Sequence, residues 1–92
     1  MLDVKAIPAS VEQASRIDWG VLIDAYLINA AKVGERFAAS VFLDRARAIP
    51  DGETVVTPPL RMLSACGDFQ LMQSECGRDH YVLVSEYTPS YT

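Results

Sequence analysis

The stretch Trp19-Gly20-Val21-Leu22-Ile23-Asp24-Ala25-Tyr26-Leu27-Ile28-Asn29-Ala30-Ala31 decides the fold that we predict for this chain. It holds one charged residue, Asp24, among ten apolar residues. We interpret it as the body of a helix over residues 19–33 that ends before Gly34. A helix that is apolar around most of its circumference must bury more than one face. In a chain of 92 residues, we expect the second face to contact another protein.

Two apolar strips run along this predicted helix at helical spacing. The broad strip is expected to face the core, and it consists of Trp19, Leu22, Ile23, Tyr26, Leu27, Ala30 and Val33. The second strip is the candidate protein interface, and it consists of Val21, Ala25 and Ile28 and ends at Lys32. Two interpretations stay open for this strip: contact with another chain, most simply a two-fold homodimer, or burial within the same chain.

The remaining pattern predicts an α+β fold in a single domain over residues 1–92. A short helix is expected over residues 11–17, with a capping box between Ser10 and Gln13. Alternating apolar residues predict a series of strands over 37–43, 54–57, 60–66, 69–75 and 80–87. The alternation over 2–6 indicates either a short edge strand or an ordered arm. We therefore expect one or two N-terminal helices packed on a curved antiparallel sheet of four to five strands, closing toward an SH3-like barrel.

Two turns punctuate the strands. Pro50-Asp51-Gly52 is a strong turn signal, because proline presets φ and glycine suits the end of the turn. Gly67-Asp68 fits a two-residue hairpin turn. Around this hairpin we expect one apolar face, made of Leu60, Met62, Cys66, Phe69 and Leu71.

The charge distribution favours some partners over others. The net charge is −4, and it is evenly spread: residues 1–35 carry five acids and three bases, and residues 36–92 carry seven acids and five bases. An acidic surface suits a partner with a basic surface. Nucleic-acid binding is disfavoured, since phosphate contacts need a basic face. The alternative prediction is that the chain does bind nucleic acid, through a basic face on which four arginines cluster in space: Arg36, Arg45, Arg47 and Arg61.

No group of residues in the sequence predicts a catalytic, cofactor or metal site. Cys76, Asp79 and His80 lie around one predicted turn, so their proximity carries no information about catalysis. Cys66, Cys76 and His80 supply three zinc-type ligands without a CxxC pair, where structural zinc takes four. We expect two free, mostly buried thiols and a non-enzymatic protein.

The termini bear on location. The chain begins without the positively charged segment and apolar run of a secretory signal. The apolar stretch from Trp19 is too short to span a bilayer. We therefore expect a cytoplasmic protein without membrane contact, and a frayed tail over residues 88–92.

Three segments carry a resemblance: Val41-Phe42-Leu43-Asp44, residues 49–60 with their Pro50-Asp51-Gly52 turn, and Tyr81-Val82-Leu83-Val84. This pattern, PDG-x-x-V-x-T followed by a hairpin and a closing Y-V-L strand, resembles small uncharacterised proteins of phages and prophages. The resemblance implies an accessory protein of a mobile element that binds and blocks a host protein, as anti-CRISPR and other anti-defence proteins do. The alternative is a small nucleic-acid-binding or regulatory β-barrel.

Overall fold

In the computed structural model, which describes residues 6–88, the chain forms one helix and six strands. The elements are α1 (Ala9–Ser15), β1 (Ala25–Val33), β2 (Arg36–Phe42), β3 (Glu53–Val56), β4 (Leu60–Cys66), β5 (Phe69–Ser74) and β6 (His80–Leu83). The strands form one sheet in the order β3-β2-β1-β6-β5-β4. Two antiparallel meanders are thus joined at the centre by β1 and β6, which run parallel.

The expected α+β class is confirmed, but the predicted antiparallel sheet of four to five strands is wrong, because the sheet has six strands and one parallel pair. The helix predicted over residues 19–33 is also wrong, because residues 25–33 form the central strand β1. This strand has a neighbour on each side and a hydrophobic cluster on each face. A strand covered on both faces reads as a continuous apolar run. A short apolar run of this kind cannot be told from a buried helix by periodicity alone.

Apolar side chains cover both faces of the sheet. Helix α1 and the segment after it pack on one face, where Val11, Ala14 and Trp19 meet Tyr26 and Val82. Helix α1 confirms the predicted short helix, although Pro8 is its N-cap and the capping box at Ser10 does not form. Seven residues are far too few to cross a bilayer, and α1 is the longest helix between residues 6 and 88.

The sheet curls toward the face opposite α1 without closing. Only three residues link β3 to β4, so Val56 and Leu60 lie within about 14 Å of each other. In a flat sheet the two edge strands would be about 24 Å apart. Leu60 from one edge and Val55 from the other accordingly pack in one cluster with Leu27 of β1. The two edge strands do not pair, so the expected barrel closure is wrong.

The predicted Gly67-Asp68 hairpin turn is confirmed, since Cys66 pairs with Phe69 across it. The single apolar face expected around it is wrong. Leu63 is an extra residue in β4, because Met62 pairs with Met72 and Ser64 with Leu71. This bulge turns the later β4 residues over relative to the earlier ones.

Two sequence predictions fall mostly outside the described residues. The strand over residues 2–6 is described only at Ala6, and the tail over 88–92 only at Thr88.

Candidate functional site

Three aspartates come together at one end of the sheet. Asp24 directly precedes β1, and Asp79 directly precedes β6. Since β1 and β6 are adjacent and parallel, their first residues lie side by side. Strand β2 is antiparallel to β1, so its last residues reach the same end, and Asp44 follows two residues later. All three side chains line one cavity.

Asp24 connects the segments at this end. One carboxylate oxygen, Oδ2, accepts the backbone N–H of His80 at 2.8 Å. The other oxygen, Oδ1, accepts Nη2 of Arg45 at 3.0 Å in an ion pair. The backbone carbonyl of Asp24 accepts a hydrogen bond from the backbone N–H of Arg45 at 2.7 Å. The backbone N–H of Asp24 donates to the His80 carbonyl at 2.8 Å. Asp24 therefore holds the β2–β3 loop and the start of β6 against β1.

The loop that connects β2 to β3 owes its shape to side chains that accept backbone hydrogen bonds. Oδ2 of Asp44 accepts the N–H groups of Ala48 and Ile49 at 2.8 and 3.0 Å. Oδ1 of Asp51 accepts the N–H of Leu43 at 2.9 Å. Leu43 and Arg47 both have positive φ, near 56° and 57°. Non-glycine residues pay for that conformation with local strain, which persists only where the surroundings hold it in place.

The cavity under this loop has a volume of about 250 Å³. Its lining combines apolar residues, including Ile49, Val55 and Tyr81, with Asp24, Asp44 and Asp79, and we call it the aspartate-rimmed cavity. Pockets for drug-sized ligands usually measure about 300–1,000 Å³. A smaller space of this kind suits one long side chain, whose aliphatic stem contacts the walls while its charged end reaches the rim.

The electrostatics at the rim are negative. Burial raises the pKa of the Tyr81 hydroxyl, and the nearby charges of Asp79, Asp24 and Asp44 raise that pKa further. The phenol therefore stays neutral well above physiological pH, and its ring face attracts cations. The Asp79 carboxylate makes no hydrogen bond to residues 6–88, so its charge is available to a ligand.

A second, more open cavity of about 560 Å³ lies within the loop itself. Arginines and aspartates both line it, namely Arg45, Arg47, Asp44 and Asp51. Its mixed charge gives no clear preference for a ligand of either sign.

The predicted interface strip does not exist as one surface, because the helix that defined it does not form. Val21 is exposed in the segment before β1, whereas Ala25 is buried in the core. Ile28 is half-buried on the opposite face of β1 from Ala25. Lys32 is exposed near the end of the strand. The structure brings none of these four residues together.

The four arginines of the alternative nucleic-acid site separate into two pairs. Arg36 begins β2 and donates to the Thr57 carbonyl at 3.3 Å. Arg61 lies near the same end, since the Leu60 N–H donates to the Glu35 carbonyl. Arg45 and Arg47 lie beyond the other end of β2, about 20 Å away along the strand. No single basic face results from these four residues.

The two cysteines lie at opposite ends of β5. Cys66 pairs with Phe69 at its start, and Cys76 follows its end, about 17 Å away along the strand. A disulfide needs Cα atoms within about 7 Å. Both thiols are free as expected, but both are exposed, so the expectation of burial is wrong. His80 contacts Gln73 at 3.2 Å rather than Cys76.

The aspartate-rimmed cavity was missed because its residues are far apart in sequence and one of them was placed in a helix. One signal was present: Asp24-Ala25-Tyr26-Leu27 and Asp79-His80-Tyr81-Val82 share an Asp-x-Tyr-aliphatic pattern. If both segments are interpreted as strands, each aspartate marks a strand start. Within residues 6–88, no group of three or more His, Cys, Asp or Glu side chains has the arrangement of a metal site.

Comparison of this chain with protein-family models, with curated protein sequences and with solved structures finds no match.

Proposed function

We propose that this chain is a non-enzymatic binding protein that takes a basic side chain of another protein into the aspartate-rimmed cavity. By doing so it occludes the surface to which that side chain belongs. The observation that carries the proposal is the cavity itself, with its apolar walls and the carboxylates of Asp24, Asp44 and Asp79 around it.

The chain already uses this chemistry internally. The guanidinium of its own Arg45 pairs at 3.0 Å with Asp24, one of the aspartates that line the cavity. Asp79 has no such partner within the described residues, which leaves a negative charge beside the neutral ring of Tyr81. The overall charge of −4 adds long-range attraction for a basic partner.

The resemblance to phage and prophage accessory proteins extends the proposal to its biological setting. An inhibitor of a defence system works by covering a functional surface, and surfaces that handle nucleic acids are basic. An acidic protein with a socket for a basic side chain suits that role. We therefore propose an anti-defence protein that acts in the cytoplasm by steric occlusion.

The socket is tested with small probes in an NMR titration. N-acetyl-arginine amide and N-acetyl-lysine amide should shift the signals of Ala25, Ile49 and Tyr81 in a saturable way, with millimolar affinity. N-acetyl-glutamine amide should not. Asp79→Asn should weaken binding about five-fold, since an exposed charge pair is worth about 1 kcal/mol. The matched control is Asp68→Asn, which removes the same charge from a distant turn.

Equal shifts with the neutral probe, or equal weakening by both variants, would show that the cavity has no preference for cations. The biological setting is tested by phage plating on a host whose CRISPR defence restricts that phage. Expression of the wild type should restore plaques, and expression of Asp79→Asn should restore fewer.

A further inference from the structure

The two edges of the sheet are protected very differently. Strand β3 has four residues, carries Glu53 and is followed, after Thr57, by two prolines, Pro58 and Pro59. These features discourage pairing with another chain. Strand β4 has seven residues, no proline and a single charge, and every residue from Arg61 to Cys66 is exposed.

The hydrogen-bonding groups that β4 presents at its open edge follow from its two ends. At the start of β4, the Glu75 N–H donates to the Pro59 carbonyl. The backbone C=O of Pro59 therefore faces β5, and the backbone N–H and C=O of Leu60 point away from it. The Leu60 N–H indeed donates to Glu35 instead of β5. Since alternate residues point the same way in an antiparallel ladder, the N–H and C=O of Met62 also face the open edge.

At the other end of β4, the hairpin sets the direction. Cys66 and Phe69 close a two-residue turn, and such a closing pair exchanges its hydrogen bonds. The backbone N–H and C=O groups of Cys66 and Ser64 therefore face β5, and those of Ala65 face the open edge. The bulge at Leu63 is what spaces the two outward residues, Met62 and Ala65, three positions apart rather than two.

The bulge also places both of these side chains on one face of the sheet. Met62 lies opposite Met72 and Ala65 opposite Gln70, and these β5 residues are two positions apart. An antiparallel partner strand with the same spacing can pair with both outward residues while its side chains stay in register. A second copy of β4 has that spacing by construction.

We propose that two copies of this chain pair antiparallel along β4, with Met62 of one copy opposite Ala65 of the other. The two-fold axis passes over Leu63 and Ser64. The N–H and C=O groups of both outward residues are satisfied, in two equivalent pairs. Met62 and Leu63, which are 56% and 44% exposed in the single chain, are covered by the second copy.

Charge complementarity supports this register. Arg61 faces Cys66 of the second copy, and it is the one charged residue of β4, so no two like charges lie opposite each other within the paired strands. The turn residue Asp68 of the second copy is diagonal to Arg61, and long side chains reach such diagonal neighbours. Among residues 6–88, the side chain of Arg61 hydrogen-bonds only to the neutral Gln73, at 2.8 and 3.2 Å. The two-fold axis produces this pair twice.

Light scattering on a size-exclusion column tests the pairing. The wild type should have twice the monomer mass of 10.1 kDa. Met62→Pro removes the outward N–H of each copy without touching the ladder to β5, as proline is tolerated at an open edge. It should raise the dissociation constant of the dimer at least about 30-fold. Met62→Thr is the control that keeps this N–H.

A charge exchange tests the register and does not depend on proline being accommodated. Arg61→Asp and Asp68→Arg should each raise the dissociation constant of the dimer about five-fold or more. The double variant should restore it. A monomeric wild type, or a dimer that both Met62→Pro and the two single charge reversals leave intact, would overturn the proposal. A dimer sensitive to the single reversals that the double variant fails to restore would overturn the register.

Discussion

The carboxylate of Asp24 accepts the backbone N–H of His80 at 2.8 Å, across a separation of 56 residues in the chain. This bond joins the residue before β1 to the first residue of β6, and among the described strands β1 and β6 are the only neighbours that pair in parallel. Because the second oxygen of Asp24 holds Arg45, the same side chain positions the loop that roofs the candidate cavity. Asp24 thus connects the topology of the sheet to the site.

We expect Asp24→Ala to lower the free energy of unfolding by about 2 kcal/mol, because it leaves the half-buried N–H of His80 without an acceptor. Asp24→Asn keeps an acceptor oxygen and should cost less. Urea denaturation followed by circular dichroism measures both. Glu75→Ala, in an exposed turn, is the control and should change stability by less than about 0.5 kcal/mol. If the two alanine variants were equally stable, Asp24 would not have this connecting role.

Substitutions at two leucines distinguish the observed strand β1 from the helix that the sequence predicts. Leu22 and Leu27 both belong to the broad strip of the predicted helix, yet Leu22 is 70% exposed and Leu27 is 0% exposed. Leu27→Ala should lower the free energy of unfolding by about 2–5 kcal/mol, since it opens a cavity in the core. Leu22→Ala should cost about 0.5 kcal/mol or less. Similar losses in chemical denaturation would favour the helix.

Alkaline pH should destabilise the protein through two tyrosines. Burial raises the pKa of Tyr26, and burial together with aspartate charges raises the pKa of Tyr81. Above about pH 10, tyrosines of the unfolded chain ionise while these two stay protonated in the folded protein. The free energy of unfolding therefore falls as pH rises.

The control for this pH dependence is Tyr87, which is 57% exposed. Between pH 9 and 11, stability should fall less steeply in Tyr81→Phe and Tyr26→Phe than in the wild type. Tyr87→Phe should follow the wild type. Thermal melts at a series of pH values measure the slopes, and identical slopes in all four proteins would contradict the assignment.

Cys76 should be the more reactive of the two thiols. Hydrogen bonds from the Ser74 hydroxyl and the Arg78 backbone lower the pKa of Cys76, so more of it is thiolate at neutral pH. Iodoacetamide labelling followed by peptide mass spectrometry should show Cys76 modified before Cys66. In Ser74→Ala, the pH at which Cys76 becomes reactive should move upward. Faster labelling of Cys66, which is equally free and exposed, would contradict this prediction.

Local features of the fold were predictable because their causes lie within a few residues. Helix α1 begins just after Pro8, and the turn at Gly67-Asp68 closes a hairpin. Across the predicted Pro50-Asp51-Gly52 turn, the Glu53 N–H donates to the Pro50 carbonyl. Proline and glycine restrict or permit particular backbone angles regardless of the rest of the chain. The candidate cavity was not predictable in this way, since no two of its aspartates are closer than 20 residues in sequence.

The sequence by itself determined the α+β class, the short helix and the positions of the turns and most strands. Only the tertiary structure decided that residues 25–33 are a strand. An apolar run with few charges satisfies a buried helix and a doubly covered strand equally well, and the choice depends on what lies on each side. The parallel pairing with β6, the curl of the sheet and the meeting of Asp24, Asp44 and Asp79 all follow from that choice. Contacts between distant segments set them, and local propensity does not encode such contacts.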